Sequence, residues 1–277
     1  MSFYIALSGL KAAQSDLSVI SNNVANVNST AFKKSRAVFG DIFAAAPMQT
    51  TTQVAGQGTR ISGIQQQFTQ GTVEGTDKTL DLAITGESFF TVRTAPPTSQ
   101  ISYTRNGAFS LDDSRYVTDT TGARLQVLPV DANGVPTNTT PAGLQDLQIP
   151  QSYNDGVKDV QLSSVAINEE GLVTATFADG VTQKLGNVAL ASFPSAEGLR
   201  QQGDAHWQST LSSGDATYGA GNAGLFGTIR SGALERSNVD LTEELVSLIA
   251  AQQNFQANAK SIETESTISS TMINMRT

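Results

Sequence analysis

Each end of the chain carries a run in which chosen positions return every seven residues, and the long middle has no such pattern. In the first run Phe3, Leu10, Leu17 and Val24 fall on one row, and Ala6, Ala13, Ile20 and Val27 on another, three positions on. In the last run Leu241, Leu248, Phe255 and Ile262 share a row, facing Leu245, Gln252, Ala259, Ser266 and Ile273. Seams of this kind mark long helices that pack on one another. Asp240 is placed to cap the second helix, with Glu243 three residues on to reach back to it. That helix is expected from about 240 to 274. The first should weaken in "NNVANVNST", where Asn and Ser compete for backbone hydrogen bonds. Both seams are poor in apolar area. At roughly 25 cal/mol per Å² a seam of alanines with a glutamine is marginal alone, and copies of the same chain would supply the missing contacts. The plainer alternative is a helical hairpin closing one globular domain.

Between the ends the pattern turns to strands. "RISGIQQQFTQGTV" alternates; "DLAITGESFFTVR" reads as two strands about a Gly–Glu turn. Asn106–Gly107 is a hairpin signal, and Glu170–Gly171 and Asp179–Gly180 sit between further alternating runs. Residues 129–160 are rich in Pro, Gly, Asn and Thr, as a loop or as the stub of an inserted domain. Residues 212–224 read as a Gly/Ser-rich connector. The fold class expected is therefore α+β and discontinuous. Terminal helices from 1–35 and 236–277 pair as a coiled coil, and 36–235 form a mainly antiparallel β domain.

Little in the chain points to chemistry. The net charge is −8, with no cluster of Lys or Arg, so a nucleic-acid partner is not expected. There is no cysteine, hence no disulfide framework. The N-terminus lacks the basic start and long apolar core of a cleaved signal, so export would use a route that needs none. The single histidine, His206, has no partner at catalytic or metal-ligand spacing. "ALSGL" lacks the strand–turn–helix context of a nucleophile elbow, and "GQGTRISG" that of a nucleotide loop. No catalytic residue, metal, cofactor or small-molecule substrate is expected. A secreted β-rich enzyme or an adhesin is the weaker alternative, because neither explains two long, weak heptad helices.

Two segments carry a resemblance. "ALSGLKAAQSDLSVISNNVANVNSTAFKKSRAVF" is similar to the N-terminal motif of the bacterial flagellar rod and hook proteins, in which "SNN-x-AN" leads to "GFK". Ser21, Asn22, Asn23, Ala25, Asn26, Phe32 and Lys33 match, and Ala31 stands where that family usually has Gly. "GALERSNVDLTEELVSLIAAQQNFQANAKSIET" resembles the family's C-terminal motif, through Leu234, Glu235, Ser237, Asn238, Val239, Glu244, Leu245, Gln252, Phe255, Asn258 and Ala259. "DLAITGESFFTV" and "YTRNGAFSLDD" are similar to its β-domain signatures. Within the family, "RLQVLPVDANGVPTNT" and "LGNVALASFPSAEGL" look most like hook subunits, with the outer β domain missing at 129–160; a rod subunit is the alternative.

The resemblance implies a structural subunit that leaves the cell through the flagellar type III export apparatus and polymerises with itself into a hollow tube. Its neighbours would be the rod, the hook cap and the hook–filament junction protein. The helix rows above would be its assembly interface. Segment 40–60 is where hook and rod are expected to differ.

Overall fold

The structure, a computed structural model, describes residues 2–42, 56–95, 99–154 and 159–275. These divide into two units.

The first unit gathers both ends of the chain, from Met1–Val27, Lys34–Gln67 and Val239–Thr277. Its helices are α1 (Ser2–Ala25) and α2 (Leu241–Asn274). Asp240 caps α2: its Oδ1 accepts from the Thr242 and Glu243 amides at 2.8 and 3.2 Å. These bonds hold its carboxyl below the ordinary carboxylate range. The Glu243 carboxylate takes Lys34 Nζ at 3.3 Å. At the end of α1 the Asn22 carbonyl accepts both from the Asn26 amide at 3.2 Å and from Asn26 Nδ2 at 2.9 Å. Val27 therefore lies past the helix and outside its seam.

The helices pack along each other, antiparallel: Asn23 meets Glu244 near one end, and Gly9 meets Asn258 further on. A Cβ at Gly9 would overlap the Asn258 side chain, which would have to swing aside to admit it. With 34 residues against 24, α2 outruns α1 by roughly 15 Å. The inward row of α1 is Ala6, Ala13 and Ile20, with Val19 and Asn23 beside it. On α2, Leu248, Phe255 and Ile262 are half-buried. The row beside them differs from the expected one: it is Glu244, Ala251, Asn258 and Glu265, one residue earlier than Leu245, Gln252, Ala259 and Ser266. Ala251 is 2% exposed, whereas Leu245 is 44% exposed and Gln252 faces outward. Glu244 holds the inward place against the more apolar Leu245 because Asn23 Nδ2 donates to its Oε2 at 3.2 Å.

The same unit contains an antiparallel hairpin of β1 (Ser35–Asp41) and β2 (Thr59–Gln66), with a bulge between Val38 and Phe39. Residues 34–67 thus belong with the helices, not with the β domain that was expected to begin at 36. Of segment 40–60, residues 43–55 lie outside the described residues.

The second unit comprises Asn28–Lys33 and Phe68–Asn238. Its first strands are β3 (Val73–Gly75), β4 (Leu82–Thr85), β5 (Phe89–Arg93), β6 (Ile101–Thr104), β7 (Ser110–Leu111), β8 (Val117–Thr118) and β9 (Arg124–Leu128). Next come β10 (Gln145–Asp146), β11 (Ser152–Asn154), β12 (Asp159–Ile167), β13 (Leu172–Phe177), β14 (Thr182–Val188) and β15 (Leu190–Ser192). The last are β16 (Arg200–Gly203), β17 (His206–Gln208), β18 (Thr217–Gly219), β19 (Thr228–Ser231) and β20 (Ala233–Glu235). The main sheet runs β11-β12-β13-β14-β9-β5-β6-β17-β16, every pairing antiparallel, and β4 pairs with β19, β3 with β20. Alternation sends Phe90, Val92, Leu125 and Val127 into one apolar cluster and Phe89 and Leu128 into another with Trp207, so β5 and β9 are covered on both faces.

The turn signals split. Glu170–Gly171 and Asp179–Gly180 join paired strands, β12 to β13 and β13 to β14, as expected. Asn106–Gly107 does not close a hairpin, since β6 pairs with β5 and β17 while β7 pairs with β8. Gly107 is required for another reason: a Cβ there would overlap the Leu82 carbonyl. β4 and β5, flanking Gly86–Glu87, also pair elsewhere. Segment 129–160 is more than a loop, because β10 joins β9 and Leu144, Leu147 and Ile149 are buried; residues 155–158 lie outside the described residues. Likewise 212–224 is no loose connector. β18 pairs with β15, and Tyr218 hydrogen-bonds Tyr103, hydroxyl to hydroxyl, at 2.7 Å.

Candidate functional site

The motif residues fall into two constellations, one in each unit. In the first unit Asn23 is the hub. Its side-chain amide pairs with the backbone of Ser35 as a strand would: Nδ2 donates to the carbonyl at 2.8 Å and Oδ1 accepts from the amide at 2.9 Å. The same Nδ2 reaches Glu244, so one buried amide joins α1, the start of β1 and the start of α2. Only Asn and Gln carry a donor and an acceptor at that spacing, and Asn does so on the shorter stem. Ser21, Asn22 and Ala25 are exposed around it.

In the second unit the two terminal motifs meet at a buried charge cluster. Lys33 Nζ lies 2.6 Å from Glu235 Oε1 and donates to the Thr69 carbonyl at 2.8 Å. The Gly71 amide donates to the same oxygen of Glu235 at 2.8 Å. Arg105 Nη1 lies 3.4 Å from Glu235 Oε2, and its Nη2 donates to the Gly86 carbonyl at 2.6 Å, with the guanidinium over the Phe89 ring. Two cations thus share one carboxylate, all three fully buried. Desolvation pulls Lys33 down to about 8, although Glu235 opposes the fall. Arg105 is likewise lowered by burial.

The backbone around the cluster is tied by the same motifs. Ala31 takes φ 56° and its amide donates to the Glu235 carbonyl at 2.8 Å. The left-handed conformation costs a non-glycine roughly 1–2 kcal/mol, and here the buried bond holds it. Asn238 Nδ2 donates to Thr69 at both its carbonyl and its hydroxyl, at 3.1 and 2.9 Å, while the Asn238 amide donates to the Phe32 carbonyl. Ser237 and Val239 are buried and Leu234 half-buried. Arg105 was not singled out from the sequence. Only its place after β6, next to Asn106–Gly107, lay inside a recognised segment.

The helix rows are placed unevenly. Leu10, Leu17 and Val24 are half-buried and Ala13 and Ile20 buried on α1; Leu248, Phe255, Ala259 and Ile262 are half-buried on α2. Leu241, Leu245 and Gln252 are exposed. Among the described residues no group of His, Asp or Glu could hold a metal ion, and no helix is long and apolar enough to cross a membrane.

Three family models match in chain order. Residues 3–33 match flagella basal body rod proteins, 83–175 the D1 domain of flagellar hook protein FlgE/F/G, and 230–275 the C-terminal part of flagellar basal body rod FlgEFG proteins. The flagellar basal-body rod protein FlgG of Bacillus subtilis (strain 168) is 33% identical over 287 residues, covering 99% of this chain and 98% of its own. The chain belongs to the flagellar hook and rod protein family. Flagellar hook protein FlgE of Escherichia coli (strain K12) is 28% identical over 411 residues, with 100% of each chain covered. FlgG of Borreliella burgdorferi is 31% identical over 273 residues, covering 94% of this chain and 93% of its own. The family's members are structural, not enzymes, and the chain's place is the bacterial flagellum. Lys33 and Glu235 lie one in the N-terminal match and one in the C-terminal match, so the buried pair ties together the two ends of the family pattern.

Proposed function

We propose that the chain is a subunit of the flagellar hook, polymerising with copies of itself into a flexible hollow tube that carries torque from rod to filament. The observation that carries self-assembly is the unfinished first unit. Leu241, Leu245, Val246 and Ile249 stand outward on the first turns of α2, and Phe3, Tyr4 and Ile5 on the first of α1. A helix that keeps this much apolar surface in water needs a further layer of helices. Coiled-coil pairing with the assembly rows Leu10, Ala13, Leu17, Ile20, Val24, Leu241, Leu245, Leu248, Gln252, Phe255, Ala259 and Ile262 would supply it. Export through the flagellar type III apparatus, and contact with the rod, the hook cap and the hook–filament junction protein, follow from that reading.

Hook is favoured over rod by the 124–139 and 185–199 segments, which look most like those of hook subunits. The rod reading rests on length: the Bacillus subtilis rod protein aligns over 287 positions, whereas the hook alignment takes 411 for a chain of 277 residues. Electron microscopy of tubes grown from concentrated protein separates the two. Curved tubes whose curvature varies along their length are expected of a hook subunit, and uniformly straight, stiff tubes would assign it to the rod.

A further inference from the structure

His206 begins β17, and both of its ring nitrogens face oxygens that only accept. Nδ1 lies 2.9 Å from the Asp204 carbonyl, so it must carry a hydrogen. Nε2 lies 2.6 Å from Asp119 Oδ2. The other oxygen of that carboxylate, Oδ1, already accepts from the Thr121 amide at 2.8 Å, the Thr121 hydroxyl at 2.7 Å and the Ala123 amide at 3.0 Å. Such a carboxylate is ionised, and Nε2 must then carry a hydrogen as well. The geometry asks for an imidazolium, in a site where the ring is almost fully buried.

The residues just before it are strained. Gly203, Asp204 and Ala205 turn from β16 into β17 with φ of 102°, 49° and 56°. Two successive left-handed residues suit Asn-Gly, not Asp-Ala. Two bonds pin this turn to the rest of the unit: the His206–Asp119 pair, and Thr104 Oγ1, which donates to the Ala205 carbonyl at 2.8 Å. Beyond the turn lies β16, the edge strand of the main sheet, whose own side chains are all exposed.

We infer that the β16–β17 turn is a proton-held latch: the imidazolium of His206, clamped by Asp119, keeps the strained turn closed, and loss of its proton to water frees edge strand β16. The charged groups acting on the ring are both acidic, Asp119 from the β8–β9 turn and Asp204 from its own turn. β6, which pairs through Thr104, presents a hydroxyl. Trp207, buried beside His206, keeps β17 itself anchored in the apolar cluster when the turn opens. Burial alone would drive the proton off, but the bond to Asp119 and its charge outweigh that and leave the His206 pKa above its ordinary 6.5. Asp119 is lowered for the matching reason, burial being outweighed by His206 and Thr121. With a raised folded value, the contribution to closure is complete below about 6.5 and is lost as pH rises through the folded pKa.

The test uses the full chain. With one histidine, a single imidazole resonance titrates in the proton NMR spectrum, and hydrogen exchange reads the amides of residues 200–206, corrected for intrinsic rate. The expected result is a titration midpoint above 6.5, with the opening constant of the turn rising up to about tenfold per pH unit between the open and folded values. In Asp119→Asn the side-chain NH₂ donates to a neutral Nε2, so the midpoint falls below 6.5 and the pH dependence of opening reverses, the turn opening more readily as pH falls. Ala205→Gly relieves the turn, and so lowers opening at every pH without moving the midpoint. A wild-type midpoint at or below 6.5 overturns the latch. So does exchange at 200–206 that ignores pH, or an Ala205→Gly variant that opens as readily as wild type.

Discussion

β5 and β9 in the second unit bury Phe89, Phe90, Val92, Leu125 and Leu128 completely, whereas α2 in the first leaves Leu241 and Leu245 each 44% exposed. The two units answer the same problem, removing apolar surface from water, with different partners. The second finds them within itself: sheet faces covered on both sides, short strands stitched to the edges, and two buried cations gathered on one buried carboxylate. The first has a seam of Ala6, Ala13, Ala251 and Asn258, which lets two helices approach closely but removes little area. In the proposed assembly, other chains supply what it lacks. Stability in this protein is therefore divided: the β unit is stable by its own contacts, and the helical unit by concentration.

The largest effect expected is at the charge cluster, because there one carboxylate answers two fully buried cations. Glu235→Gln leaves Lys33 and Arg105 buried with no counter-charge and should cost about 3–5 kcal/mol. Denaturant unfolding followed by Trp207, buried in that unit, reads it directly. A loss under about 1 kcal/mol would mean that water, not Glu235, satisfies the cations. The contrast between units is sharpened by two leucines. Leu125→Ala should cost about 2–5 kcal/mol in the monomer. Leu248→Ala, only half-buried, should cost about 1 kcal/mol or less there, yet raise the concentration at which tubes form. Equal costs in the monomer would erase the distinction drawn here.

A pH series probes the same cluster. Lys33 has its folded pKa lowered to about 8 from 10.5. Below about 8 the unfolded and folded chains bind this proton alike, and the burial cost is fully present. As pH rises from 8 towards 10.5 the folded chain gives up the proton first, so this group makes stability rise, by about 2 kcal/mol between pH 8 and 10. Above pH 10 the buried Tyr103 and Tyr218 work the other way, since burial raises both of their pKa values and the unfolded chain ionises first. Wild type minus Lys33→Met, measured between pH 8 and 10, isolates the rise; a flat difference would remove Lys33 as its source. The smallest effect is Ala31→Gly, which frees a left-handed residue from its steric cost and should stabilise by about 0.5–1 kcal/mol. Calorimetric Tm would show no gain if the buried methyl matters more than the dihedral.

How far the sequence could be read follows the physics of each signal. The two helices, the cap at Asp240 and the turns at Gly171 and Gly180 were legible because each rests on local chemistry. The phase of the α2 seam was not: Leu245 outscores Glu244 on hydropathy, and only the bond from Asn23, distant in sequence, explains why the glutamate turns in. Asn106–Gly107 misled because its glycine serves a close approach to Leu82 and not a hairpin. Leu144, Leu147 and Ile149 were hidden among prolines, threonines and asparagines that mark turns on either side. Lys33 and Glu235 were visible as motif members, but nothing local announced that they face each other, nor that Arg105 is the third partner.

The most direct measurement is amide hydrogen exchange on the same protein as dilute monomer and as assembled tubes. Weak protection is expected along α2 in the monomer and strong protection in the tube, with β5 and β9 equally protected in both. If α2 in the dilute monomer is already as protected as β5, the helical unit is complete without its neighbours and the division of stability proposed here is wrong.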